Sequence, residues 1–316
     1  MNDVRSANAE FQPLVSVGIP TYSRPEGLRR TLNCITGQTY RNLEVIVSDN
    51  ASLGEETINV VNEFMTNDRR IQCYRQPKNR GPLFNFQFVL ERASGEYFMW
   101  AADDDAWDSG FVETLMRQFE LSDNSVVAVA AEAQYTVGGQ PQPFFREGAP
   151  FYSKLYDSAF ERMRHILLFN YGNLFYSIFR RSTLLKNGKT VFDLIKTPSL
   201  NEIPIFIQVA ERGNWKVVPE ALLYKEAPYN TYLQAKWEME GGRGPQKTWR
   251  HPFSMLKSAG YHVDAFKAIR ESILQLESVT HMERQQLTRL AAKLLLKHYF
   301  QLLLNTKNVD ICPAHL

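Results

Sequence analysis

Along the first 130 positions, short apolar runs alternate with segments whose apolar residues recur every three or four positions. Leu14 to Ile19 is an apolar run closed by Pro20 and predicts a first strand. Pro25 to Ile35 predicts a helix, with proline in its first turn and Leu28, Leu32 and Ile35 on one face. Leu43 to Val47 predicts a second strand, and Glu55 to Met65 a helix that turns Ile58, Val61 and Phe64 inward. Ile71 to Tyr74 predicts a short third strand. The turn Asn79-Arg80-Gly81-Pro82 then leads into a helix through Phe84, Phe88 and Leu90. Gly95 breaks that helix, and Tyr97 to Ala102 predicts a fourth strand. Strands alternating with short helices predict an α/β fold, its mostly parallel sheet covered on both faces.

In such sheets ligands bind outside the carboxyl ends of the strands. Three polar clusters fall at those ends: Pro20-Thr21-Tyr22, Asp49-Asn50 and Asp103-Asp104-Asp105. A single aspartate there reads as a cap or turn residue, and Asp49 alone needs no more than that. Three consecutive carboxylates repel one another, and one cap would suffice. A divalent cation relieves the repulsion, and oxygen ligands favour Mg²⁺ or Mn²⁺, held by one or two carboxylates and completed by substrate phosphates. The stretch after the first strand is GIPTYSRPEG, so neither the dinucleotide pattern GxGxxG nor the P-loop GxxxxGK[ST] is present.

The stretches VSVGIPTYSRPEGLRRTLNCITGQTYRNLEVIVSDNAS, NRGPLFNFQFVLERASGEYFMWAADDD and VPEALLYKE resemble the GT-A glycosyltransferases of family 2. The resemblance is continuous from about residue 14 to 120 and patchier to about 226. It implies a Rossmann-like GT-A domain and inverting transfer of a sugar from a UDP- or dTDP-linked donor. It gives Pro20, Thr21, Tyr22, Arg24 and Asp49 the nucleobase and ribose, and Asn79 and Arg80 a turn beside the nucleotide. Asp103 becomes the ribose-side acid, with Asp104 and Asp105 the metal ligands. The family's usual order is Asp-x-Asp-Asp, whereas here Ala102 precedes the triplet.

Inverting transfer needs a carboxylate to take the acceptor hydroxyl's proton. In PSLNEIPIFIQVAERGNW, Pro198-Ser199 offers a helix start, and Glu202 stands in its first turn where relatives carry the base. A first-turn glutamate also complements the helix dipole, which is the plainer use of the same position. Residues 232 to 252 are rich in Gly, Lys and Arg and carry Trp237 and Trp249. They read as a lid loop or a solvated linker. As a lid, Arg243, Lys247, Arg250 and His251 are candidate phosphate contacts.

Composition adds exclusions. The chain has 316 residues, 44% apolar and 22% charged, with a formal net charge of +2, so nothing in it points to nucleic acid. Three scattered cysteines without CxxC argue against a disulfide framework or zinc site. The opening MNDVRSANAEFQP lacks an apolar core, and the expectation is a cytoplasmic protein, at the inner membrane face if its acceptor is lipid-linked. From 253 onward the pattern is helical. Leu287, Leu290, Ala291, Leu294 and Leu295 form one face, with Arg284, Arg289, Lys293 and Lys297 the charge. That helix can pack on the domain, join a homodimer or rest on an anionic membrane.

The organisation expected is a tail over 1–13, a nucleotide-sugar half over 14–125, an acceptor half over 126–231, the loop 232–252 and a helical extension over 253–316. The expected partners are a nucleotide sugar and a glycan or lipid-linked glycan. The rival readings are a non-catalytic sugar-nucleotide-binding or scaffold protein, which the Asn201-Glu202 departure keeps open, and a nucleotidyltransferase, whose Gly-rich basic loop is missing.

Overall fold

A computed structural model of the chain describes residues 12–137, 140–146, 155–168, 172–195, 202–226 and 252–304. The first half runs β1 (Val15–Thr21), α1 (Pro25–Thr36), β2 (Leu43–Asp49), α2 (Glu56–Asn67), β3 (Ile71–Arg75), α3 (Pro82–Arg92), β4 (Tyr97–Trp100), β5 (Ala106–Trp107) and α4 (Phe111–Glu120). The second half runs β6 (Val126–Val137), β7 (Gln140–Arg146), α5 (Ala159–Leu168), β8 (Ile178–Arg180), β9 (Leu185–Lys186), β10 (Lys189–Thr190), α6 (Ile203–Ala210) and β11 (Asn214–Glu226). Two helices, α7 (Pro252–Leu274) and α8 (His281–Leu304), follow.

One sheet carries nearly all the strands, in the order β3-β2-β1-β4-β8-β6-β11-β5, with β7 beside β6. The β3-β2-β1-β4 run is parallel. β8 is antiparallel to both β4 and β6, so β6 and its parallel neighbour β11 point the same way as β1. Every position of β1 and β2 is buried, as expected of strands covered on both faces. Val15, Val17 and Ile19 share a core with Leu28, Leu32, Phe111 and Leu115 on one side. Phe98, Trp100, Phe179, Phe206 and Trp215 fill the other, where α5 to α8 close over them. Helix α3 lies so near β1 that a Cβ on Gly18 would sit 2.7 Å from Val89 Cγ2. No helix among the described residues is long and apolar enough to cross a membrane.

The amino ends of the parallel strands are pinned by Glu44. Its Oε1 accepts the amides of Ser94 (2.6 Å) and Gly95 (3.0 Å), and Oε2 accepts Ser94 Oγ (2.9 Å). Ser16 Oγ also donates to Oε1 and in turn accepts the Gly95 amide at 2.8 Å. Burial pushes this carboxyl up, but the hydrogen bonds outweigh it and its pKa lies below the ordinary value. A depressed carboxyl stabilises the fold above its unfolded pKa, and that support goes as pH falls through the folded value. Glu44→Gln should therefore cost about 1.5–3 kcal/mol at pH 7. In urea titrations the gap from the parent should narrow below about pH 4; a gap constant from pH 7 to 3 would contradict the clamp.

Candidate active site

The parallel register brings Thr21, Asp49 and Arg75 side by side at the carboxyl ends of β1, β2 and β3. Asp103 follows the end of the adjacent β4. The acidic turn is fixed from below. Thr31 on α1 donates to the carbonyls of Ala102 (2.9 Å) and Asp105 (3.2 Å), and Arg30 Nη2 reaches the carbonyl of Asp104 at 3.2 Å. The start of α1 sits tightly against this turn, since a Cβ on Gly27 would lie 2.2 Å from the Asp103 carbonyl oxygen.

The three aspartates point to different surroundings. Asp103 is buried and accepts Thr21 Oγ1 at 2.8 Å. Burial raises its pKa, and the Thr21 hydrogen bond and the Arg24 charge oppose the rise. Asp104 is half exposed. A single nitrogen of Arg24 lies 3.4 Å from Asp103 Oδ1 and in close contact with Asp104 Oδ2, so one cationic group is gripped by two carboxylates. Asp105 is buried, with its Oδ2 3.8 Å from Lys225 Nζ. That is a charge contact and not a hydrogen bond, and no donor hydrogen-bonds to that oxygen. Burial pushes Asp105 up to about 6, against the Lys225 charge.

Asp49 is wholly buried. Its Oδ1 accepts the Ser52 amide at 2.9 Å, which steadies the left-handed Ala51 (φ 61°), and its Oδ2 lies 3.5 Å from Arg75 Nε. Asn79 belongs to a locked turn in which its Oδ1 accepts Asn50 Nδ2 (3.1 Å) and the Gly81 amide (2.8 Å). The Arg80 amide donates to Asn50 Oδ1 at 3.0 Å, and its guanidinium stacks 3.6 Å over Phe84. Pro20 is buried in β1, and Tyr22 is exposed just beyond it. Asn85, buried in α3, ties the two strand ends by donating to the carbonyls of Thr21 (3.2 Å) and Ser48 (2.9 Å).

Glu202 comes from the other half of the sheet. It is the N-cap of α6, and its carbonyl accepts the amides of Ile205 (3.0 Å) and Phe206 (3.1 Å). The helix behind it is buried at every position from Pro204 to Ala210, which holds its start rigidly. Burial raises the Glu202 pKa, and the Lys225 charge opposes it. The partly buried Tyr176 links the groups. Its pKa lies well above the ordinary value, first through burial and then through the charges of Asp105, Asp104, Glu202 and Asp103. The fold thus gathers Thr21, Arg24, Asp103, Asp104 and Asp105 in one network, and both that network and Glu202 act on Lys225 and Tyr176. Asp49, Asn79 and Arg80 form a flank on the β2–β3 side.

Sequence reasoning passed over Lys225 and Arg75 and read Tyr176 only as an aromatic suited to a core. The strand-end rule that found Asp49 also applies to Arg75 and Lys225, which close β3 and precede the last residue of β11. Arg243, Lys247, Arg250 and His251 lie outside the described residues.

No three His, Cys, Asp or Glu side chains among the described residues converge as a metal cage. The Asp103–Asp104 pair nevertheless fits a hard cation: its donors are all oxygen, and it already holds a positive group, the Arg24 guanidinium, between two carboxylates. Mg²⁺ and Mn²⁺ need only one or two such carboxylates when a substrate diphosphate supplies the rest.

A family model described as Glycosyl transferase family 2 matches residues 16–183. The GalNAc(5)-diNAcBac-PP-undecaprenol beta-1,3-glucosyltransferase of Campylobacter jejuni is 36% identical over 107 residues, 34% of this chain and 34% of that protein. Glycosyltransferase GlyG of Streptococcus pneumoniae is 30% identical over 114 residues, 36% of this chain and 38% of that one. The matched region thus spans about a third of the length of these curated relatives. Among solved structures, S. aureus TarS 1–349 in complex with UDP-GlcNAc aligns at a TM-score of 0.63 and 16% identity, over 93% of this chain and 76% of that one. The mannosyltransferase PcManGT of Pyrobaculum calidifontis, in complex with GDP-Man and Mn²⁺, aligns at 0.51 and 18%, over 93% and 84%. Both share the GT-A arrangement of a mixed sheet flanked by helices.

Proposed function

The chain belongs to glycosyl transferase family 2 and is a glycosyltransferase; from that premise we propose that it moves a sugar, with inversion, from a nucleoside-diphosphate donor to a hydroxyl of a glycan. The observation that carries this is the acidic rim: Asp103 and Asp104 at the end of β4 grip the Arg24 guanidinium between them, and the charge of Lys225, which contacts Asp105, also reaches Glu202. TarS binds UDP-GlcNAc in its crystal structure, which supports a UDP-linked donor. The Campylobacter relative is named for an undecaprenol-linked glycan, which supports a lipid-linked acceptor and work at a membrane surface.

In this assignment Asp49, Asn79 and Arg80 flank the nucleobase, and Thr21 fixes Asp103 for the ribose. Asp104, with Asp103, would hold Mn²⁺ or Mg²⁺, which when bound neutralises the leaving diphosphate. Arg24 brings positive charge to the same place. Glu202 takes the proton from the attacking hydroxyl, and the protein's part is to hold that carboxylate opposite the leaving group. A pKa raised by burial makes Glu202 a better proton acceptor than an exposed carboxylate.

The test is a panel of UDP-, dTDP- and GDP-sugars with MnCl₂, read by thermal shift and by donor consumption. The matching donor should raise Tm by mass action, about 2.7 kcal/mol of stabilisation at a hundredfold excess over Kd. Asp49→Ala should weaken UDP by one charged hydrogen bond, about 1.5–3 kcal/mol. A panel in which no sugar nucleotide shifts Tm or is consumed would defeat the proposal. UDP affinity surviving Asp49→Ala within about twofold would leave Asp49 as a turn residue only.

A further inference from the structure

The acidic turn is joined to β11 by a short antiparallel pairing, Leu223 with Trp107 and Tyr224 with Ala106. The next step of that register brings Lys225 opposite Asp105, and their charged ends are 3.8 Å apart. Lys225 is only 17% exposed, and its ammonium lies 4.5 Å over the ring of Tyr176. Its head is therefore held from two sides, by a ring face and by a carboxylate. On the donor side it meets a run of three acids that Arg24 neutralises only at Asp103 and Asp104. On the acceptor side its charge reaches Glu202.

We infer that Lys225 is a positioning residue: fixed against Asp105 and the Tyr176 ring, its ammonium holds the acidic turn and Glu202 in one charge-balanced site, with Asp105 as its counter-ion. This rests on the glycosyl-transfer reading for its consequence in turnover, but the ion pair itself does not depend on it. An unpaired buried carboxylate is expensive, whereas losing both charges costs much less. Lys225 reaches Glu202 through space and the acidic turn through Asp105, so it acts on the chemistry through other groups. Losing it should alter the rate of transfer more than the grip on donor.

Four proteins decide the matter: the parent, Lys225→Met, Lys225→Arg, and Lys225→Met combined with Asp105→Asn. By melting temperature, Lys225→Met should fall by about 3 °C or more, and adding Asp105→Asn should recover at least about half of the loss. A double variant that melts lower than Lys225→Met would overturn the pairing. In turnover of the donor found in the panel, Lys225→Met should lower kcat by about 10–100-fold with donor KM held within about threefold. Lys225→Arg should return kcat to within about threefold of the parent, because it restores the charge. An active parent whose kcat is untouched by Lys225→Met, or an Arg variant no better than Met, would overturn the positioning role. A parent that transfers no sugar defeats the transfer reading instead, and the melting comparison still decides the pairing on its own.

Discussion

Asp104→Asn is expected to remove the metal-dependent part of donor binding. The assignment rests on where the carboxylate stands. Asp103 spends one oxygen on Thr21 and is buried, and Asp105 turns inward to Lys225. Asp104 alone of the three is half exposed at the rim, and among the described residues its side chain bonds to Arg24, itself largely exposed. A bound diphosphate can reach this group without dismantling the core. An amide keeps the shape but loses the charge that a hard cation requires. UDP affinity in the presence of MnCl₂ should fall by at least about 100-fold, whereas affinity in EDTA should change by less than about threefold. Stability should hardly move, because an exposed pair of this kind is worth about 0–1 kcal/mol and the change also relieves repulsion within the triplet. Calorimetry with UDP and MnCl₂ checks both halves. Unchanged Mn²⁺-dependent affinity in the variant would leave Asp103 as the ligand without Asp104 and overturn this assignment.

Much of the rim was legible beforehand because it depends on local rules. Val15 to Ile19 and Leu43 to Val47 are mostly apolar, with Ser16 and Glu44 the polar exceptions that bond to each other, as suits strands buried on both faces, and parallel pairing puts their far ends together whatever their distance in sequence. Thr21, Asp49 and the acidic triplet follow from that alone. Lys225 does not. Its place is fixed by β5, a strand of two residues with no periodicity to read, which pairs with β11 across more than a hundred positions of sequence. Tyr176 was legible only as an aromatic suited to a core. It is partly buried against the core, yet the charges of four carboxylates of the site also reach it. Sequence pattern reports burial well, but it does not report which charges the burial brings near. The start of α6 differs in a similar way. Proline and serine at 198–199 suggest a cap, but the described helix starts at Ile203 with Glu202 as its N-cap. That shift of a turn moves Glu202 from the flank of a helix to its tip, the position from which a carboxylate can reach into a cleft.

Glu202→Gln is expected to stop transfer while leaving donor binding nearly intact. The glutamine keeps the length and hydrogen-bonding capacity of the side chain but cannot take a proton from the acceptor. Loss of general-base help costs about 10²–10⁴ in rate, so kcat should fall by that factor. UDP affinity should stay within about twofold, because Thr21, Asp49 and the Asp103–Asp104 pair are on other strands and do not hydrogen-bond to Glu202. The fold should also tolerate the change. The cap bonds of α6 use the backbone carbonyl of Glu202, not its side chain, and a neutral amide in a buried place avoids the desolvation that raises the acid's pKa. The pH profile adds an independent reading. Since burial sets the Glu202 pKa above the ordinary value, kcat in the parent should fall on the acid side as this carboxylate protonates, beginning at a higher pH than for an exposed glutamate. In the variant, the residual rate should lose that acid limb. A Glu202→Gln protein that transfers sugar at the parental rate would place the base elsewhere. A variant with low kcat that keeps the acid limb would show that Glu202 shapes the site without carrying the proton.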